Sequence, residues 1–204
     1  MNIKRMPVGY LMTNCYLVWD EESGEAMIID PGAEAGKLLR AIENTGCKLK
    51  YVLLTHGHYD HTGAADEISR KTGAPVYIHP ADVNTDSADR GAQLFYTPEP
   101  DTAIKSLAEG DELSLGGHVI KVLNTTGHSK GSCVFLMGGE MFSGDTLFAG
   151  SCGRTDFTGG DSHEMMMSLK RLHDLPGNFN VYPGHEGTST LENERRSNYF
   201  MMGF

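Results

Sequence analysis

The segment from His56 to His61 constrains the fold of this chain more than any other feature of its sequence. It contains three histidines and one aspartate within six residues. An apolar run at 51–54 precedes it, and small residues at 62–65 follow it where a helix is predicted to begin. The cluster therefore lies on a turn after a strand, where open α/β folds place their chemistry. Its donor atoms predict a metal site.

Three further candidate ligands stand elsewhere in the chain, and each comes just after a predicted strand. A glycine directly precedes each of them, which lets the backbone approach its neighbours closely in a tight turn. These residues are His128, Asp145 and His185. Three strand ends of this kind are hard to explain by chance. Four other histidines lack this context, and we interpret them as ordinary surface or core residues: His79, His118, His163 and His173.

Composition limits the classes of protein and of partner. A chain of 204 residues fits one domain, and we expect a single domain over 1–204. The formal net charge of −10 argues against nucleic acid as a partner, because phosphate binding needs a basic surface. No apolar run is long enough to span a membrane, and the N-terminal segment lacks the apolar core of a secretion signal. The four cysteines form no C-x-x-C pair, which suits reduced thiols and a cytoplasmic protein.

The order of predicted elements indicates the fold class. Strands are predicted at 14–19, 26–29, 51–54, 75–78, 111–115, 119–123, 133–137, 141–143 and 180–182, and helices at 34–45, 64–71, 162–173 and 191–199. The pattern is weak over 79–109, which we interpret as irregular loop. Two blocks of strands, each carrying helices, predict an α/β chain with two mixed sheets packed face to face and helices outside. This is a four-layer αβ/βα sandwich.

The order and spacing of these candidate ligands resemble the metallo-β-lactamase fold superfamily. The resemblance extends to the turn at 30–32 and to the segment 144–148, and it covers nearly the whole chain. It implies two metal ions. One site would comprise His56, His58 and His128, a second would comprise Asp60, His61 and His185, and the carboxylate of Asp145 would bridge both. Imidazole and carboxylate donors suit zinc most directly, and also iron or manganese.

Two divalent ions in such a site favour hydrolysis. Metal coordination lowers the pKa of water from about 16 to about 7, so a hydroxide bridging the two ions is available at neutral pH. The positive field also suits the anionic tetrahedral intermediate of acyl transfer. We predict Asp60 as the catalytic residue, because its carboxylate would orient this hydroxide.

The segment 144–157 resembles the glyoxalase II group, the hydroxyacylglutathione hydrolases, as does the segment 183–186. The resemblance implies hydrolysis of a small-molecule thioester such as lactoylglutathione. We expect a short form without the C-terminal helical segment that helps those enzymes to hold glutathione. Arg154 and Asp156 stand where they have a lysine and a tyrosine. Arg154 is predicted to clamp a substrate carboxylate, and the alternative is a structural pair with Asp156.

Other interpretations stay open at this point. Persulfide dioxygenases share the fold and a similar loop at 151–157, but bind one iron and use O₂. A non-catalytic metal-binding module is the non-enzymatic alternative, which the complete set of ligands disfavours. A β-lactamase is disfavoured because Asp145 stands where the main class of those enzymes uses cysteine. The apolar segment 199–204 could form a homodimer contact or could pack on its own domain.

Overall fold

The computed structural model describes residues 1–84 and 95–204. The strands are β1 (Asn2–Val8), β2 (Thr13–Asp20), β3 (Glu25–Ile29), β4 (Lys48–Leu53), β5 (Val76–Ile78), β6 (Ile104–Ser106), β7 (Glu112–Leu115), β8 (His118–Asn124), β9 (Cys133–Met137), β10 (Glu140–Gly144), β11 (Leu147–Phe148), β12 (Ser151–Cys152), β13 (Asn180–Pro183) and β14 (Ser189–Thr190). The helices are α1 (Ala35–Glu43), α2 (Tyr59–Thr62), α3 (Ala65–Thr72), α4 (Ser162–His173) and α5 (Leu191–Ser197), and Pro80–Asp82 forms a 3₁₀ turn.

Two six-stranded sheets contain most of these strands. The first has the order β1-β2-β3-β4-β5-β6, and the second has the order β14-β13-β10-β9-β8-β7. The first is antiparallel from β1 to β3 and parallel from β3 to β6. The second is antiparallel except where β10 pairs with β13. Both sheets are therefore mixed, as the sequence analysis predicted.

The packing of side chains defines four layers. Between the sheets lies a core that takes Tyr16, Met27 and Leu53 from the first sheet and Val122 and Phe135 from the second. Two further cores lie on the outer faces, where α1 and α3 cover the first sheet and α4 and α5 cover the second. The predicted αβ/βα sandwich is confirmed.

The middle of β2, residues 15–18, shows why a central strand of this fold is apolar on both faces. Successive side chains of a strand point to opposite faces of its sheet. Cys15 and Leu17 accordingly enter the outer core, and Tyr16 and Val18 enter the core between the sheets. A strand covered on both faces reads as a continuous apolar run rather than as an alternation.

Several short or edge elements were missed from the sequence. The edge strand β1 pairs with β2 over its whole length, although three of its seven residues, Asn2, Lys4 and Arg5, are polar or charged and exposed. The interpretation of 79–109 as irregular loop is wrong at two places. Pro80–Asp82 forms a 3₁₀ turn, and Ile104–Ser106 forms the three-residue strand β6, which pairs with β5 at the edge of the sheet. Residues 85–94 of that segment lie outside the described residues.

The C-terminal segment 199–204 divides between the two environments that the sequence suggested. Met201 is buried in the core beneath α4 and α5, and Phe200 packs against that core. Tyr199 and Met202 remain 81% and 61% exposed. A homodimer contact at these two side chains stays a prediction. Within the described ranges, no helix has both the length and the apolar character needed to cross a membrane.

Candidate metal centre

Four strands of the two sheets end at one place in the molecule. The candidate ligands follow β4 in the first sheet and β8, β10 and β13 in the second. The sequence prediction of a strand-to-helix turn is confirmed for His56 and His58, which lie between β4 and the short helix α2. Asp60 and His61 lie within α2 itself. Close approach at this edge requires Gly184, since a Cβ there would lie 2.3 Å from the Asp145 Oδ1 atom.

All seven predicted ligands come together at this edge. They form three overlapping groups whose donor atoms lie within 4.8 Å of one another: His56, His58 and His128; His56, His61 and Asp145; Asp60, His61 and His185. The Asp145 Oδ2 atom is 3.4 Å from His128 Nε2 and 3.6 Å from His185 Nε2, and its Oδ1 is 3.4 Å from His61 Nε2. Asp145 thus contacts members of both predicted sites, while the ligand roles stay predictions.

The donor set fits divalent metal ions. Buried atoms without a hydrogen-bond partner include the Nε2 atoms of His56, His58 and His61 and the Oδ1 atom of Asp145. A buried polar atom left unpaired costs about 1–3 kcal/mol, so such atoms are uncommon in folded proteins. Of these atoms, His61 Nε2 and Asp145 Oδ1 lie 3.4 Å apart. An imidazole nitrogen and a carboxylate oxygen that face each other in this way would be satisfied together by a cation.

Asp30 holds His61 from outside the cluster, and the sequence analysis placed it only in a turn. Its Oδ2 atom accepts hydrogen bonds from His61 Nδ1 at 3.0 Å and Thr55 Oγ1 at 2.7 Å, and its Oδ1 accepts from the Thr55 amide at 2.8 Å. With Nδ1 engaged, Nε2 of His61 faces the other donors. Burial lowers the pKa of His61, but Asp145, Asp30 and Asp60 outweigh burial and raise it to about 9.

Two other ligands are oriented by hydrogen bonds that the sequence did not reveal. Thr13 Oγ1 at the start of β2 donates to Asp60 Oδ2 at 2.7 Å. Burial raises the pKa of Asp60, but hydrogen bonds from His185 and Thr13 outweigh burial and hold it below its usual value. His128 Nδ1 donates to the backbone oxygen of Arg154 at 2.7 Å, which leaves its Nε2 facing Asp145.

The loop that carries His185 is tied to β2. The side-chain amide of Asn14 donates to the carbonyls of Pro183 and Glu186 at 2.9 and 3.0 Å, and the Tyr16 hydroxyl donates to Pro183 at 2.7 Å. Asn14 and Tyr16 are both buried. In the sequence, an asparagine within the otherwise apolar segment 14–19 is the signal that could have indicated this contact with the His185 loop.

A cavity of about 590 Å³ opens beside the cluster. Besides candidate ligands it is lined by Leu11, Tyr59, Phe148, Ser151, Cys152, Arg154, Phe157 and Glu186. Burial raises the pKa of the Cys152 thiol to about 11, so this thiol is protonated at neutral pH. Apart from the candidate ligands, the wall is therefore largely apolar, with one acidic side chain, Glu186, and one basic side chain, Arg154.

Arg154 lies on the cavity wall and is already engaged by Asp156. Its Nε and Nη2 atoms donate to the two carboxylate oxygens at 2.7 and 2.6 Å, and its guanidinium stacks on Phe157 at 3.7 Å from the ring centre. The hydrogen bonds from Arg154 lower the pKa of Asp156 to about 2. The structure thus contains the Arg154–Asp156 pair, which was the alternative to a contact between Arg154 and substrate. Arg154 nevertheless lies on the cavity wall, where substrate binding was predicted.

Comparison with known proteins agrees with this fold and site. Residues 8–185 match the family description "Metallo-beta-lactamase superfamily". The match covers most of the chain, and the chain belongs to this superfamily of metallo-hydrolases.

The relatives include proteins that are described as different enzymes and one that was solved with iron bound. The chain is 36% identical to "Hydroxyacylglutathione hydrolase GloC" of Haemophilus influenzae, over 98% of each chain. It is 40% identical to a solved structure of TTHA1623 in a di-iron-bound form, with a TM-score of 0.81 over 97% of this chain and 99% of that one. It is 32% identical to the BLEG-1 B3 metallo-beta-lactamase, with a TM-score of 0.86 over 99% of this chain and 100% of that one.

Proposed function

We propose that this chain is a metal-dependent thioester hydrolase that holds two divalent ions. Zinc is the metal that we propose for both sites. The observation that carries the proposal is the convergence of seven imidazole and carboxylate side chains, several with unpaired buried atoms. Five of them line one cavity: His58, Asp60, His128, Asp145 and His185. The likeness to a hydroxyacylglutathione hydrolase at 36% identity supports thioesters as the substrate class.

In this proposal, the seven ligands form two metal sites, and Asp60 has a second role. His56, His58 and His128 would hold one ion, Asp60, His61 and His185 the other, and Asp145 both. Bound divalent ions supply Lewis acidity and activate water at neutral pH. Asp60 lies on the cavity wall with one oxygen held by Thr13, so its carboxylate is placed to orient the attacking water. Phe148 and Phe157 contribute apolar surface to the wall of this cavity.

The cavity wall also argues against a cysteine nucleophile. Cys152 is the cysteine that lines it, and burial raises the pKa of this thiol to about 11. A thiol attacks as its thiolate, which would be scarce at neutral pH. The proposed nucleophile is therefore water activated at the cluster.

Metal content and turnover test this proposal together. Protein purified without chelator should contain nearly two metal ions per chain and should hydrolyse lactoylglutathione or a thioester of another thiol. Removal of metal by a chelator should abolish hydrolysis, and added zinc should restore it. One tightly held iron with O₂ consumption on glutathione persulfide would overturn the proposal in favour of a dioxygenase. Hydrolysis of a β-lactam without thioester turnover would overturn the substrate class.

Replacement of Arg154 by alanine tests its predicted contact with substrate. We expect KM for a carboxylate-bearing thioester to rise about tenfold with kcat little changed, because a charge-assisted hydrogen bond is lost. The melting temperature should stay constant, since Arg154 and Asp156 are both exposed. Asp156→Ala is the matched variant, and it should lower KM by freeing the guanidinium. An unchanged KM with a lower melting temperature would favour the purely structural pair.

A further inference from the structure

A fully buried carboxylate outside the predicted ligand set joins the two loops that carry three of those ligands. Asp82 ends the 3₁₀ turn after β5 and is 0% exposed. Its Oδ2 atom accepts hydrogen bonds from the Gly57 amide at 2.9 Å and the Ser129 hydroxyl at 2.6 Å. Its Oδ1 atom accepts from the Gly131 amide at 2.7 Å. Both oxygens are therefore engaged by loops distant in sequence.

The positions of these donors relate Asp82 to the metal centre. Gly57 stands between His56 and His58, and Ser129 directly follows His128. These three histidines form one of the groups of converging donors, and His58 Nδ1 lies 2.9 Å from His128 Nε2. The Asp82 carboxylate thus links the loop that carries His56 and His58 to the loop that carries His128.

The backbone around Asp82 is shaped to admit it. A Cβ at Gly57 would lie 2.2 Å from the Asp82 carbonyl oxygen, and a Cβ at Gly131 would lie 2.6 Å from the Asp82 Cγ atom. Real side chains do not approach so closely, so both loops need glycine where they meet Asp82. Contact with Asp82, at its backbone carbonyl for Gly57 and at its carboxylate for Gly131, explains these two glycines. Left-handed backbone does not, since neither has a positive φ.

The burial of this charge also calls for a specific role. Burying a carboxylate is costly unless its oxygens are hydrogen-bonded. Among residues 1–84 and 95–204, no lysine or arginine forms an ion pair with Asp82. Its hydrogen bonds come from two backbone amides and one hydroxyl, which belong to the two ligand-bearing loops.

We propose that Asp82 is a positioning residue that sets the distance of His56 and His58 from His128, and thereby the affinity of this chain for one of its two metal ions. The inference rests on the proposed metal centre, but not on the identity of the substrate. Asp82 reaches no donor atom of the cluster, so it acts through the two loops. Loss of such an outer partner lowers metal affinity about 10- to 100-fold in well-studied sites.

Metal titration of folded variants tests this role without any substrate. Asp82→Asn keeps the shape of the side chain but turns a donor toward at least one of its three partners. We expect Zn²⁺ titration against a chromophoric chelator to show one ion bound about 10- to 100-fold more weakly and the other nearly unchanged. Ser129→Ala removes one of the three hydrogen bonds and should weaken the same ion by a smaller factor. Co²⁺ absorption should change for that ion alone.

Asp66 provides a matched control. Its carboxylate also accepts three hydrogen bonds, from Tyr96, Thr102 and the Glu99 amide, but none of these partners adjoins a predicted ligand. Asp66→Asn should lower the melting temperature of the metal-free protein without changing the affinity of either ion. Wild-type affinity for both ions in Asp82→Asn and Ser129→Ala would overturn the positioning role. So would an equal loss of affinity in the Asp66 variant.

The outcomes separate this inference from the proposed function. Weaker binding of one ion in Asp82→Asn supports the positioning role even if the wild-type protein turns over no thioester. Unchanged binding in the variant overturns that role even if the wild-type protein is an efficient thioesterase. A wild-type chain that binds no metal at all would overturn both.

Discussion

Asp145→Ala is expected to lower the affinity for both metal ions and to abolish hydrolysis. The carboxylate of Asp145 lies within 3.6 Å of nitrogens from His61, His128 and His185, which belong to both predicted sites. In the proposed metal centre, the substitution would remove a negative charge close to both ions and a donor to each. We expect the loss of activity to exceed the roughly 10- to 100-fold that follows loss of an outer partner.

Elemental analysis and steady-state kinetics of the Asp145 variant provide the measurement. The control is Asp156→Ala, which removes a carboxylate from an exposed pair near the same cavity. That variant should keep its full metal content. Two metals per chain and wild-type turnover in Asp145→Ala would contradict the bridging role, whereas loss of only one metal would assign the carboxylate to a single site.

Asp30→Ala is expected to have the largest effect on stability. The substitution leaves the Thr55 amide, the Thr55 hydroxyl and the His61 Nδ1 atom without their acceptor in a region that excludes water. Removing one member of a buried hydrogen-bonded charge pair costs about 3–5 kcal/mol. His61 also loses the contact that fixes its ring, so affinity for the ion at Asp60, His61 and His185 should fall about 10- to 100-fold.

Chemical denaturation of the metal-free protein and metal titration separate these two effects. Asp161→Ala is a suitable comparison, because Asp161 caps α4 by accepting hydrogen bonds from the His163 and Glu164 amides, on the surface. Loss of such an exposed cap should lower stability less than loss of Asp30 does, and it should leave metal binding unchanged. If Asp30→Ala is no less stable than Asp161→Ala, the buried contacts of Asp30 contribute little.

The prediction of the fold succeeded where the sequence carries strong local signals. β2 and β9 contain apolar runs, and α4 repeats apolar residues at helical spacing, so each was predicted close to its observed bounds. β4 begins three residues before the predicted strand, at Lys48, because only its second half is an apolar run. β1 and β6 lack such a signal because an edge strand is stabilised by its hydrogen bonds to one neighbour. Its own side chains can remain polar and exposed.

The sequence alone determined which donors this chain offers and in what order. The dense cluster at 56–61 and the three ligands that follow glycine after other strands are local features of the sequence, and all seven ligands converge in the structure. The tertiary structure decided how those donors are held. Asp30, Thr13, Asn14 and Asp82 reach the ligand loops from segments 25 to 172 residues away in the chain. A hydrogen bond between distant segments depends on the packing of both sheets, which no local pattern encodes.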